Sequence, residues 1–212
     1  MHWDLTIRCS LDTSQRSAIA QRVLECLNTA VANSSARLRG SLADGRHDVY
    51  SDIDVLWVVD DLLEITTGRV RDALSRAGEV VSLQVDPEVQ RSPRYRLIFA
   101  RFANLPLFWR LELKISSRNG VQGVSMAAGG NEPAPNWSVA ESALANAVGA
   151  IKAYLRGKEE LASEYLQSAC EKLGYEPVSP RARDSLMRIT KRAAELEPHV
   201  APFAEELKAM IG

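Results

Sequence analysis

The sequence predicts an α+β chain, with a sheet and flanking helices in its N-terminal half and a bundle of helices in its C-terminal half. Three observations carry this. Short runs rich in β-branched residues, such as "IDVLWVV" at 53–59, fall before residue 117, and such residues suit a pleated, half-buried surface. The stretch 118–137, "RNGVQGVSMAAGGNEPAPNW", carries Gly129-Gly130, Pro133 and Pro135 without sustained periodicity, as a linker or mobile loop does. Beyond it apolar residues recur at helical spacing, with breaks at Gly157, Gly174, Pro180 and Pro198. Mixed elements followed by helices often mean two domains. We therefore expect an α/β domain at 1–117, a linker or mobile loop at 118–137 and a helical domain at 138–212.

Each element has its own signal. "DTSQRSAIAQRVLECLNTAVANSS" reads as an amphipathic helix, capped by Thr13 or Ser14, with Ile19, Val23, Leu27 and Val31 on one stripe. A short strand, "ARLRG", runs into Gly40-Ser41, and a short helix begins at Ser41 in "SLADG". "IDVLWVV" follows as a central strand, and "DLLEITTGRVRDALSRAG" as a helix weakened by its Thr pair and Gly68. "EVVSLQV", "RYRLIFARF" and "LFWRLELKI" supply three more strands. The helices of the second half span 138–156, 159–173, 180–196 and 199–211.

Bulk properties narrow the function. The 212 residues can bury one substantial core, or a medium domain plus a smaller one. A formal net charge of −1 gives no basic field of the kind that drives non-specific nucleic-acid binding, so no long nucleic acid is expected as partner. Cys9, Cys26 and Cys170 are scattered, which argues against a disulfide framework and a zinc site. The opening "MHWDLTIRCSLDTSQ" lacks the regions of a signal peptide, and no apolar run reaches membrane-spanning length. The expectation is a cytoplasmic protein without a membrane partner.

The chemistry concentrates in "LRGSLADGRHDVYSDIDVLWVV". Residues two apart on a strand share a face, so Asp52 and Asp54 project side by side, opposite Ile53 and Val55. Adjacent carboxylates repel unless a cation lies between them, and Mg²⁺ prefers such oxygen ligands together with substrate phosphates. Read alone, the pair is also what a turn at a strand entrance looks like. Gly40 permits close backbone approach, and the Ser41 hydroxyl with nearby N–H groups suits a phosphate, although Gly-Ser alone is also an ordinary turn. The informative feature is the whole string: strand, Gly-Ser, ten residues, then acid–hydrophobic–acid–hydrophobic opening another strand.

This string resembles the nucleotidyltransferase superfamily of DNA polymerase β type, in particular the small antibiotic and minimal nucleotidyltransferases. The match runs through "GSLADGRHDVYSDIDVLWV", including Ser51 before Asp52, and covers about 35–120. It implies a mixed sheet and a third carboxylate from a later strand. Glu112, in the middle of the alternating "LFWRLELKI", is the preferred candidate; Asp86, in "QVDPE" before Pro87, is the alternative and looks like a turn residue. The family often has Asp at this position. On a solvated face Glu112 would instead pair with Arg110 or Lys114.

The resemblance further implies transfer of a nucleoside monophosphate from an NTP, with ATP expected, to an acceptor hydroxyl. Two Mg²⁺ ions would be held by Asp52, Asp54 and Glu112. Gly40 and Ser41 would hold the β/γ-phosphates, with Arg39 and Lys152 as further nucleotide-binding residues; both also read as ordinary surface cations. Glu141 reads as an acceptor-side base or, more simply, as an acid complementing a helix dipole. His2, His47 and His199 are too dispersed for metal or triad chemistry. The acceptor expected is a small hydroxylated molecule, aminoglycoside-like or lincosamide-like, and a homodimer is compatible with the family. The competing readings are a protein-modifying nucleotidyltransferase of toxin–antitoxin type and a catalytically silent nucleotide-binding module.

Overall fold

The computed structural model describes residues 2–3, 5–7, 11–118, 137–176 and 181–212. The expected linker therefore lies outside the described residues, apart from its two ends. The chain divides into two compact units, one formed by residues 11–137 and one by residues 1–10 with 138–212.

The first unit opens with α1 (Thr13–Ala30). Its cap is Asp12 rather than Thr13 or Ser14: in extended backbone the Asp12 carboxylate accepts the Ser14 N–H at 3.0 Å. A carboxylate one position earlier meets the first unpaired N–H groups and complements the helix dipole, which is why it takes the cap. Ile19, Val23 and Leu27 are buried as their spacing requires. Then follow β1 (Ser35–Leu38), α2 (Gly40–Ala43) and β2 (Ile53–Val59). Next, α3 covers Thr67–Ser75, shorter than the expected 61–78. The Thr pair is its beginning, because the Thr66 hydroxyl accepts the Arg69 N–H.

Three strands complete the unit: β3 (Val80–Val85), β4 (Tyr95–Phe102) and β5 (Leu111–Ser117). The expected alternation over 107–115 holds only from Leu111. Phe108 and Trp109 are both buried, and the Trp109 N–H turns back onto the Pro106 carbonyl at 2.9 Å. Two successive buried rings demand a turn, since a strand would send one of them to the opposite face.

The five strands make a mixed sheet in the order β1-β2-β5-β4-β3. The β2–β5 pair is parallel and the other three pairs are antiparallel. Ile53, Val55, Trp57 and Val59 of β2 are buried with Leu111, Leu113 and Ile115 of β5 in one core cluster that includes residues of α1 and α3. The opposite face is half-exposed, and along β2 and β5 it carries Asp54 and Glu112.

The second unit consists of α4 (Val139–Leu155), α5 (Glu159–Lys172), α6 (Ala182–Leu196) and α7 (Ala201–Ile211). All four expected helices are present, and Pro198–Val200 forms a single 3₁₀ turn ahead of α7. The first residues of the chain pack here. The His2 carbonyl accepts the Ala182 N–H at 2.9 Å, and Trp3 stacks on Tyr154 with ring centroids 5.0 Å apart.

Candidate active site

Asp54 is the second residue of β2, and in the parallel β2–β5 ladder its partner is Glu112. Asp52 stands just before the strand, where its Oδ1 accepts the Arg110 N–H at 3.1 Å and the Ile53 N–H reaches the Arg110 carbonyl at 3.0 Å. The segment that opens β5 thus holds Asp52 through its side chain and through the peptide N–H that follows it. Asp86 lies elsewhere. It follows β3, at the far edge of the sheet, where its carboxylate accepts the Glu88 N–H at 2.9 Å in a turn. The fold brings Glu112, and not Asp86, beside Asp54.

Gly40 begins α2 with φ +61, and the Arg39 N–H donates to the Asp54 carbonyl at 2.9 Å. A Cβ on Gly40 would stand 2.5 Å from Asp54 Oδ2, so only glycine leaves the space that this carboxylate oxygen uses. Ser41 is the next residue of α2. The Arg39 guanidinium forms an ion pair with Glu112. Besides the expected roles of phosphate partner or surface cation, Arg39 thus has a third, as the partner of an acid beside the pair.

Among the described residues no three His, Cys, Asp or Glu side chains already surround a common point as a metal cage. The donor chemistry nevertheless fits a hard divalent cation: the acids supply only oxygen, and Gly40 leaves room at Asp54 Oδ2. Glu112 would join such an ion by exchanging the guanidinium of Arg39 for it.

Two site residues escaped the sequence reading. Arg16 of α1 is 1% exposed; its Nη1 donates to the Asp48 carbonyl at 2.7 Å and the Ser51 carbonyl at 3.1 Å. Burial pulls its pKa below the usual arginine value, while the charges of Asp48 and Asp52 push the other way. Trp109 donates its indole N–H to the Val49 carbonyl at 2.8 Å. The available signal for Arg16 was its place on the apolar stripe of α1, ahead of Ile19, Val23 and Leu27. Lys152 and Glu141 belong to the helical unit, on α4. Lys152 is 7% exposed near the end of that helix, and Glu141 gives its N–H to the capping Ser138 hydroxyl at 2.8 Å.

A mixed sheet with two acids at the head of one strand, a third on the adjacent parallel strand and a Gly-Ser turn against them defines a nucleotidyltransferase-like fold. Residues 20–112 match the family model described as nucleotidyltransferase domain. Three solved structures are similar. One is from the polymerase core of TRAMP, an RNA surveillance complex, with 11% identity and TM-score 0.40, over 95% of this chain and 59% of that one. One is from the GLD-2/RNP-8 complex, with 17% identity and TM-score 0.33, over 81% and 58%. The third is an H. pylori chain assigned as a nucleotidyltransferase, with 14% identity and TM-score 0.34, over 96% and 94%. The chain thus spans less than two thirds of the first two. No curated protein matches the sequence.

Proposed function

We propose that this chain transfers a nucleoside monophosphate from an NTP, with ATP favoured, to a hydroxyl of a small acceptor, releasing pyrophosphate. The observation that carries the reading is the Asp54–Glu112 ladder pair with Gly40 pressed against Asp54. Asp52, Asp54 and Glu112 would hold two Mg²⁺ ions, which when bound neutralise charge on the attacking and leaving oxygens. The Ser41 hydroxyl and adjacent backbone N–H groups bind the β/γ-phosphates, and Arg39, released from Glu112, adds a positive charge there. The acceptor oxygen attacks the α-phosphorus, the bond from that phosphorus to the β-phosphate oxygen breaks, and the acceptor's proton passes to the Glu112 carboxylate.

The surface beside Glu112 bears on the acceptor. Phe99 of β4 is the ladder partner of Glu112, and the Arg110 guanidinium lies over its ring at 4.4 Å. Arg101 and Arg110 line one shallow recess next to Leu105 and Trp109. Such a cationic wall disfavours a polycationic aminoglycoside and favours a lincosamide-like acceptor with little positive charge. No helix among the described residues is long and apolar enough to cross a membrane, and we place the activity in the cytoplasm, where NTPs and Mg²⁺ are available.

Calorimetry of NTP binding with and without Mg²⁺ tests the reading on the wild type and on Asp52→Ala/Asp54→Ala. Metal-dependent binding that disappears in the double variant is expected, followed by turnover in a screen of hydroxylated acceptors. Absence of NTP binding at millimolar Mg²⁺ would overturn the reading.

A further inference from the structure

Asp52 precedes the first residue of β2, so the turn before it sets where its carboxylate goes. That turn is closed on itself: the Ser51 hydroxyl donates to Asp48 Oδ1 at 2.9 Å, and the Tyr50 N–H reaches the same oxygen at 3.0 Å. It is also held from outside on two sides. Arg16 Nη1 takes the Asp48 and Ser51 carbonyls, while Trp109 Nε1 takes the Val49 carbonyl. The two clamps touch, with Arg16 Cζ 5.6 Å from the centre of the Trp109 ring.

The Ser51 carbonyl belongs to the peptide unit that joins Ser51 to Asp52. Anchoring that oxygen limits rotation of the peptide plane, and with it the direction in which the Asp52 side chain leaves the backbone. On the opposite side Asp52 Oδ1 receives the Arg110 N–H. Burying a guanidinium is costly unless its geometry is well satisfied. A helix whose stripe is otherwise apolar gains nothing from a charge here for packing alone.

We infer that Arg16 is the positioning residue for Asp52, fixing the turn 48–51 so that the Asp52 carboxylate stays aligned with Asp54. The inference rests on the function proposed above in treating Asp52 as a ligand of the reaction's metal. Its structural part, that Arg16 sets the place of the Asp52 carboxylate, stands on the hydrogen bonds alone.

The test compares the wild type with Arg16→Met, Arg16→Lys and a control, Arg22→Met. Arg22 lies on the same helix and binds the Ala77 carbonyl at 2.9 Å, away from the turn. Two quantities are read at matched thermal stability: hydrogen exchange of the Arg110 amide by NMR, and Mn²⁺ affinity by EPR. In Arg16→Met the Arg110 amide is expected to exchange about tenfold faster and Mn²⁺ to bind about tenfold more weakly, the usual scale for removing support behind a metal ligand. Arg16→Lys falls between, and Arg22→Met stays at the wild-type values. If Arg16→Met does not fold, Arg16→Lys against Arg22→Met gives the same reading. Unchanged Arg110 exchange in a folded Arg16 variant overturns the inference. A wild type that binds no Mn²⁺ overturns the metal reading instead, and the exchange rates still decide whether Arg16 positions Asp52.

Discussion

Gly40 lies so close to Asp54 that a methyl group on its Cα would meet Asp54 Oδ2 at 2.5 Å. The backbone there is also left-handed, with φ +61. Gly40→Ala therefore brings two penalties together: about 1–2 kcal/mol for a side chain in that region, and displacement of the carboxylate. We expect a modest loss of stability in urea melts. Turnover should fall more steeply, by about 10²-fold, as a misplacement near 1 Å produces at a reacting centre. Equal activity of the two proteins would separate this turn from the chemistry.

The acids should differ in kind. Asp54→Asn and Glu112→Gln are expected to fold and to lose on the order of 10³-fold in kcat, the scale of removing charge from a preorganised site. Asp86→Ala should lose about 1 kcal/mol of stability with its turn bond and keep full activity. Steady-state assays with denaturant curves on the three variants check the assignment. An inactive, folded Asp86→Ala would reverse it.

Arg39 and Glu112 form a half-exposed ion pair. Such pairs contribute less than about 1 kcal/mol, so Arg39→Gln should scarcely alter the melting temperature. It should tighten Mn²⁺ binding, because a cation that competes for Glu112 has gone. Titration by EPR at two salt concentrations would show this. The difference between the proteins should shrink at high salt.

The hydrogen bond from Ser14 lowers the pKa of Asp12 in the folded state. A depressed carboxylate pKa adds stability that is fully present above the unfolded-state value. That stability is lost as pH falls through the folded value. Asn caps helices as Asp does but does not titrate. Asp12→Asn should therefore show a shallower loss of stability on acidification, while matching the wild type in the shape of its melts near neutral pH. Thermal melts in steps of pH from neutral into the acid range measure it.

How far the sequence could be read depended on the range of the interactions. The strand 53–59 was legible because its β-branched run is a local property, and the shared face of Asp52 and Asp54 followed from strand geometry. Glu112 was legible as a half-exposed acid because 111–115 alternates. Its adjacency to Asp54 was not available from pattern, since a parallel pair joins segments far apart in sequence. The false start of β5 at 107 came from a pattern in which Leu107, Trp109 and Leu111 happen to alternate. Burial of Phe108 as well broke it. Arg16 was hidden for a related reason: a hydrogen bond to a distant turn leaves no periodic mark, only an arginine where an apolar residue was due.

The position of β5 bears on when the site comes into being during synthesis. Among the described strands it is the last to leave the ribosome, yet it lies between β2 and β4 in the sheet order. A nascent chain ending before it would carry both aspartates and the Gly-Ser turn, with β2 and β4 lacking the strand that joins them. Insertion of β5 closes the sheet, supplies the Arg110 amide to Asp52 and delivers Glu112 to Asp54 in one event. The third acid and the central strand are one segment, so an unfinished or truncated chain lacks Glu112 together with the strand that places it beside Asp54.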